Sequence, residues 1–476
     1  MRQIKYSLAI LSAVAILAGC GGSGSNTAGD QTLKAKYSAQ ISFGDSLSDV
    51  GSYAVGPVKA LGGGKYNING DNKGVNAALT GKNWTELMAA QFGLPAPCAA
   101  QTGLDGVAAQ GFAVPVVNHT GCFGYAQGGA RVTNPVGPGN KYTGSALGQL
   151  TVPVATQIQN HLAIVGGKFK GDEIVLVMAG GNDIFAQVGG LTAGATAAGQ
   201  AAGAAEGARV GAATFASKLV GLLAAGATNP ATAAQAIGLA MATEAARVGH
   251  TDQTVVGAAV FAAATQPGNA AVGSPAVYGP MVASAQAAAT TAGQAAGAAA
   301  GAQAGADYVT ANAPKAVVAM GTAGAEMVAL VKTQLLAKGA THVVVNNIPD
   351  VGTTPDSLAA SASQRDLINA MVKAFNDQLS SGLSAEANVV LVDVFSVSHD
   401  QATNPGPYGL TNVTTRACDL SPAKNPFGSS LICNASNLIA GDVSHYQFAD
   451  GVHPTPYGYW LLARYVSERL VVKGWM

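Results

Sequence analysis

Apolar residues gather first in four short runs rich in Val and Ile: Ala39 to Phe43, Ile174 to Met178, His342 to Asn346 and Val389 to Val392. Each has the length of a buried strand. Between them the period lengthens. Thr322 to Ala337 carries Met327, Leu330, Val331 and Leu335 on one helical face, with Gly339 placed to stop it. Gln364 to Leu379 repeats the spacing through Leu367, Ile368, Met371, Val372 and Phe375, and a last helix is expected from about Tyr457 to Val471, after Pro454 and Pro456. Apolar strands alternating with helices predict an α/β fold whose parallel sheet is covered on both faces.

Over residues 189–319 the pattern disappears. Ala, Gly, Thr and Gln dominate, as in Ala285 to Ala306, and no strand signal remains. Ala favours helix, whereas each interior Gly costs about 1 kcal/mol, so short helices packed through small faces are expected. The segment lies between two core strands and therefore reads as an insertion. It is either helical filler lying on the sheet or a lid or membrane-docking element using Phe215, Leu219, Leu222 and Leu223. No stretch is expected to be apolar enough for a transmembrane span.

Charge narrows the function. The 476 residues have zero formal net charge and only 11% charged side chains, so no basic surface marks a nucleic-acid partner. Arg2 and Lys5 precede an apolar run, Leu8 to Leu17, that ends in Leu17-Ala18-Gly19-Cys20. Such a run is too short to span a bilayer and has the layout of an export signal. Leu-Ala-Gly-Cys resembles the lipobox of bacterial lipoproteins, which implies removal of residues 1–19 and a lipid anchor on Cys20; cleavage near Gly19 without lipid is the other reading. Residues 20–37, with Gly21 to Asn26, make a flexible tether. Gly21 in place of Asp fits, by analogy, outer-membrane retention; a secreted product is the alternative. Residues 38–476 then form one domain around the insertion.

Cys98, Cys122, Cys418 and Cys433 remain, an even number that suggests disulfides in an exported chain. Of three possible connectivities, the local one, Cys98–Cys122 with Cys418–Cys433, closes short loops and is expected. No Cys-x-x-Cys pair that would suggest zinc is present.

Four blocks carry the chemistry. Ser46, in Gly44-Asp45-Ser46-Leu47, follows the first strand and would stand at the carboxyl end of the sheet, where open α/β folds bind ligands. A helix behind it would offer free N–H groups to an oxyanion. Gly128-Gly129, in Phe123 to Ala130, allows close approach of a backbone N–H. Asn182, in Ala179-Gly180-Gly181-Asn182-Asp183, directly follows a strand and can aim an amide at the same oxygen; capping of the next helix is the plainer role. Asp450-Gly451-Val452-His453-Pro454 supplies a proton acceptor, with a carboxylate three residues earlier to orient it. Six other histidines compete, His445 nearest.

In this order the blocks resemble the GDSL esterases and lipases, the SGNH hydrolases. The resemblance implies a three-layer α/β/α sandwich with a flavodoxin-like parallel sheet. It assigns Ser46 as nucleophile, Asp450 and His453 as its partners, and Ser46, Gly129 and Asn182 as oxyanion donors, with no metal or organic cofactor. Gly124 stands where the second block often has Asn, and the insertion is unusual for the family. Tyr408 to Thr414, ahead of Cys418, is similar to secreted bacterial phospholipases and esterases. The expected substrate is a small acyl ester or a lipid, with acetylated envelope or extracellular polysaccharide as an alternative. Acyl transfer would use the same residues. A non-catalytic envelope lipoprotein on a hydrolase scaffold is the alternative of another class, and the presence of Ser46, Asn182 and His453 argues against it. No Gly-x-Ser-x-Gly elbow occurs, which sets the chain apart from the other common lipase fold.

Overall fold

The computed structural model describes residues 35–74 and 79–476. The export signal, Cys20 and most of the expected tether lie outside the described residues. β1 (Gln40–Gly44) leads into a long connection holding α1 (Gly56–Ala60), α2 (Trp84–Gln91) and an antiparallel ribbon of β2 (Gln101–Asp105) and β3 (Ala113–Asn118). α3 (Val154–Ile164) precedes β4 (Ile174–Met178). Four helices follow with no strand between them: α4 (Gly181–Ala224), α5 (Pro230–Ala245), α6 (Asp252–Ala264) and α7 (Pro275–Leu330). Then come β5 (Val343–Asn346), α8 (Pro355–Ala359), α9 (Ala362–Leu383), β6 (Val389–Val392) and α10 (Val394–Thr403). β7 (Asn412–Arg416), β8 (Tyr446–Phe448) and α11 (Pro456–Lys473) complete the fold.

The four expected strands form one parallel sheet in the order β1-β4-β5-β6. Successive side chains alternate between its faces. Ile41, Phe43, Val175, Val177, Val343 and Val345 pack with Ile158 of α3, Met327 of α7 and Phe375 of α9. Ile174, Leu176, Val344, Val390 and Val392 pack with Met88 of α2 and Val466 of α11. Two apolar layers on one sheet explain why its strands read as continuous apolar runs: both faces are dry. Gly339, in the left-handed conformation at φ +98°, ends the helical run that begins with α7.

The insertion departs from expectation. Its helices are not short: α4 has 44 residues and α7 has 56, roughly 66 and 84 Å at 1.5 Å per residue. They form an antiparallel stalk whose backbones meet along glycines four residues apart. A Cβ on Gly203 would sit 2.8 Å from the Gly297 carbonyl oxygen, and one on Gly301 would sit 2.8 Å from that of Gly199. Glycine's helix cost is offset because only the bare backbone permits this contact. Only the ends of the insertion, at Leu191, Ala316 and Val317, pack on the sheet core. Leu219 and Leu223 are buried in a separate core with Ile237 of α5 and Val260 of α6, so they hold the tip together instead of facing a membrane. The run Pro275–Lys338 does meet the length and composition of a span, an 18-residue stretch of it having a mean hydropathy of 1.3. Inside this fold, however, Ala316, Met320 and Met327 of that run belong to the sheet core.

Candidate active site

The Ser46 loop leaves β1 through a clasp. Gly44 donates its N–H to Gln157 Oε1 at 2.8 Å, and Gln157 Nε2 donates back to the Gly44 carbonyl at 2.8 Å. Asp45 N–H continues the ladder to the Met178 carbonyl at 3.2 Å. Ser46 then stands in a turn, and no helix starts behind it; the next one, α1, begins at Gly56. Side chains draw the backbone into loops here. The buried Asp49 carboxylate accepts the N–H groups of Gly51 and Ser52 at 2.8 and 2.7 Å, and Ser48 Oγ accepts Trp84 Nε1 at 3.1 Å. The expected helix dipole is therefore missing. What remains is the Ser46 N–H itself, which donates to no acceptor among the described residues.

Asp49 also reaches across to the glycine loop, accepting Gly128 N–H on Oδ2 at 2.9 Å. On the other side, Asn182 Nδ2 donates to the Ala130 carbonyl at 2.9 Å. Gly129 is thus bracketed between the Ser46 loop and Asn182. Its φ of +78° favours glycine, and a Cβ would strike the Pro138 carbonyl oxygen at 2.2 Å. Its N–H, too, has no acceptor among the described residues. Asn182 is buried in the first turn of α4, capped by Gly180. One amide hydrogen is engaged by Ala130 and a second remains. Asp183 beside it holds Arg131 Nε at 2.8 Å and Val132 N–H at 3.1 Å, fixing that turn to the glycine loop. Gly124, at the position where Asn is often found, bridges strand segments; a Cβ there would meet the Cys98 carbonyl oxygen at 2.8 Å.

The last block folds back onto Ser46. Asp450 caps its own turn, accepting Val452 and His453 N–H at 3.0 and 2.8 Å, and takes Ser430 N–H on Oδ2 at 2.8 Å. His453 Nδ1 lies 2.9 and 2.8 Å from the two Asp450 oxygens, and His453 Nε2 lies 2.9 Å from Ser46 Oγ. Burial alone would raise the Asp450 pKa; His453 and the backbone N–H groups win, holding the carboxyl well below the usual range. An ionised Asp450 can only accept, so the proton of a neutral His453 sits on Nδ1 and the Nε2 lone pair faces the serine. The rival histidines serve elsewhere. His445 packs on Tyr457, His161 sits among aromatic rings, and His399 pairs with Asp350.

Ser46, Asn182 and His453 line one cavity of about 60 Å³ with Phe185, Ile348 and Val351. A far larger groove, about 1190 Å³, runs along the stalk, but His250 and Asp252 are its only ionisable members. Size does not locate the chemistry here; converging polar groups do. Asp45 also lines the small cavity, and burial pushes its pKa up to about 7. Among the described residues no group of three His, Cys, Asp or Glu side chains could hold a metal ion. The disulfides join Cys98 to Cys122 and Cys418 to Cys433, the second beside Ser430.

Sequence reasoning missed three supports. Tyr66 lies against the His453 ring, centroids 4.7 Å apart, its own hydroxyl engaged by Gln149. Ser430 supplies an N–H to Asp450, and Asp49 ties two loops together. None sits in a motif that announces it, although Asp49 follows Ser46 by only three residues.

Residues 289–466 match the family described as GDSL-like Lipase/Acylhydrolase. That span takes in Asp450 and His453; Ser46, Gly129 and Asn182 precede it and join it through the fold. The chain is 24% identical over 144 residues to the GDSL esterase/lipase At1g06990 of Arabidopsis thaliana, covering 28% of this chain and 39% of that protein. It is 25% identical over 133 residues to the GDSL esterase/lipase APG of the same plant, covering 26% and 37%. The chain thus spans about two fifths of the length of these relatives. Sheet, helices and the match over residues 289–466 agree: the chain has the SGNH α/β hydrolase fold, and that part of it is similar to GDSL-like lipases/acylhydrolases.

Proposed function

We propose that this chain is a serine carboxylic-ester hydrolase working through an acyl-enzyme on Ser46. One observation carries the reading: the line from Ser46 Oγ to His453 Nε2 at 2.9 Å, and from His453 Nδ1 to Asp450 at 2.8 Å. His453 takes the serine proton as Oγ adds to the ester carbonyl, and ionised Asp450 stabilises the imidazolium that results. The tetrahedral oxyanion accepts from Ser46 N–H, Gly129 N–H and Asn182 Nδ2. Collapse breaks the ester C–O bond; the alcohol leaves with the proton from His453, and water repeats the sequence to release the acid. The substrate is an acyl ester or a lipid. A lipid on Cys20 with residues 20–37 as tether would hold the enzyme at the cell envelope.

Ser46→Ala is expected to lower kcat/KM on a p-nitrophenyl ester by about 10⁴-fold or more, with far-UV circular dichroism unchanged. A fluorophosphonate probe should label the unaltered chain at Ser46, read by peptide mass. Turnover that survives in the variant overturns the reading.

A further inference from the structure

We propose that the acyl group of the substrate enters a second chamber next to the Ser46 cavity, and that this chamber sets the length of the acid it accepts. The inference rests on the hydrolase reading. The chamber, about 70 Å³, lies at the carboxyl ends of β5 and β6, between α10 and the start of α11. It shares a wall with the Ser46 cavity: Leu47, Met178, Pro349, Thr354 and Val452 line both. Beyond that wall it is lined by Val394, Val397, Ala402, Phe448 and Leu462. Val394, Val397 and Ala402 bring apolar side chains of α10 to the space, with Ser398 and Gln401 of the same helix between them.

Most polar members of the lining are engaged by neighbours, Gln447 Oε1 being left without a partner. Asp350 accepts from His399 at 2.7 Å, Ser398 Oγ accepts Asp350 N–H at 2.8 Å, and Gln401 accepts from Gln447 at 3.2 Å. Packed interiors hold few voids, and this one adjoins the serine that would carry the acyl group. A carbonyl carbon bonded to Ser46 has its tail directed either to bulk water or through the Leu47–Val452 wall. Only the second choice removes apolar surface from water.

The volumes give the length. An apolar cavity of about 150 Å³ takes a benzene-sized guest. The two spaces, about 60 and 70 Å³, together suit an acid of about four to six carbons. Each methylene withdrawn from water is worth about fourfold in kcat/KM until the chamber is full.

The full chain is assayed on p-nitrophenyl esters from acetate to dodecanoate. kcat/KM should climb about fourfold per methylene up to hexanoate and fall beyond it. Ala402→Phe, which fills the chamber, should lower the hexanoate-to-acetate ratio at least tenfold. Val397→Ala, which removes atoms and so guards against a misfolded filler, should move the optimum to longer acids. An unchanged ratio in both variants, or a wild-type rate still rising at dodecanoate, overturns the chamber. Acetate turnover that depends on Ser46 is measured in the same series: its presence leaves the hydrolase reading standing, and its absence sinks both.

Discussion

Asp450 and Asp45 are both buried carboxyls within reach of His453, yet their surroundings drive them in opposite directions. Asp450 gains three backbone N–H groups and the imidazole; Asp45 gains the Leu47 N–H alone on Oδ1 at 3.1 Å. Raised to about 7, Asp45 binds its proton more tightly folded than unfolded, where its value is near 3.9. Between roughly pH 4 and 7 the native state holds more protons, so this group's contribution to stability is present below pH 4 and lost as pH rises to 7. Asp450 works with the reverse sign: its contribution is present above pH 4 and lost on acidification. Asp45→Asn should therefore flatten the fall in thermal midpoint from pH 4 to 7, recovering on the order of 3 kcal/mol at pH 7; an unaltered slope would refute the assignment. Asn182→Ala should lower kcat about 10²–10³-fold with KM little changed, the mark of a donor used in the transition state; a pure KM effect would remove it from that role. Ser46, Asn182, Asp450 and His453 were legible because each lies in a short motif beside a strand or before a proline. Tyr66 and Ser430 were not: Tyr66 meets a ring almost four hundred residues further along the chain, and Ser430, though near Asp450 in sequence, contributes only a backbone N–H that any residue could supply.

At the scale of elements, strands were the most readable. A strand dry on both faces, as in Ile174–Met178, leaves no ambiguity of period. Helices on the sheet showed their spacing for the same reason: one face meets the core. The stalk misled because glycine's cost was counted residue by residue, whereas its return comes from a partner helix. The signal was present in the register of Gly199, Gly203, Gly207 and Gly211 against Gly293, Gly297 and Gly301, each series stepping by four. The missing helix after Ser46 failed for another reason: Asp49 satisfies backbone N–H groups from its side chain. Gly203→Leu forces a side chain into the Gly297 carbonyl and should cost the stalk about 1–3 kcal/mol, seen as faster proteolysis between α5 and α6 with ester turnover preserved. Equal protease resistance would show that the two backbones do not touch.

For the whole molecule, the local disulfide Cys418–Cys433 closes a loop of sequence separation 15. Loops of that size are worth about 3 kcal/mol. The loop also holds Ser430, whose carbonyl, with those of Leu431 and Cys433, accepts from Asn69 Nδ2. Replacing both cysteines by Ala should cost about 3 kcal/mol in urea melts and lower kcat more than it raises KM, since the Ser430 N–H would loosen from Asp450. A variant as stable and as fast as the parent would break that link.

The serine and its base lie 407 residues apart in the chain. At a translation rate of about 5–20 residues per second, the nucleophile leaves the ribosome roughly 20–80 s before the imidazole exists. Throughout that interval the nascent polypeptide carries a hydroxyl with no proton acceptor beside it. On the proposed mechanism the chain gains its ester-cleaving machinery only when residue 453 has been made, and a product terminated before it lacks the general base.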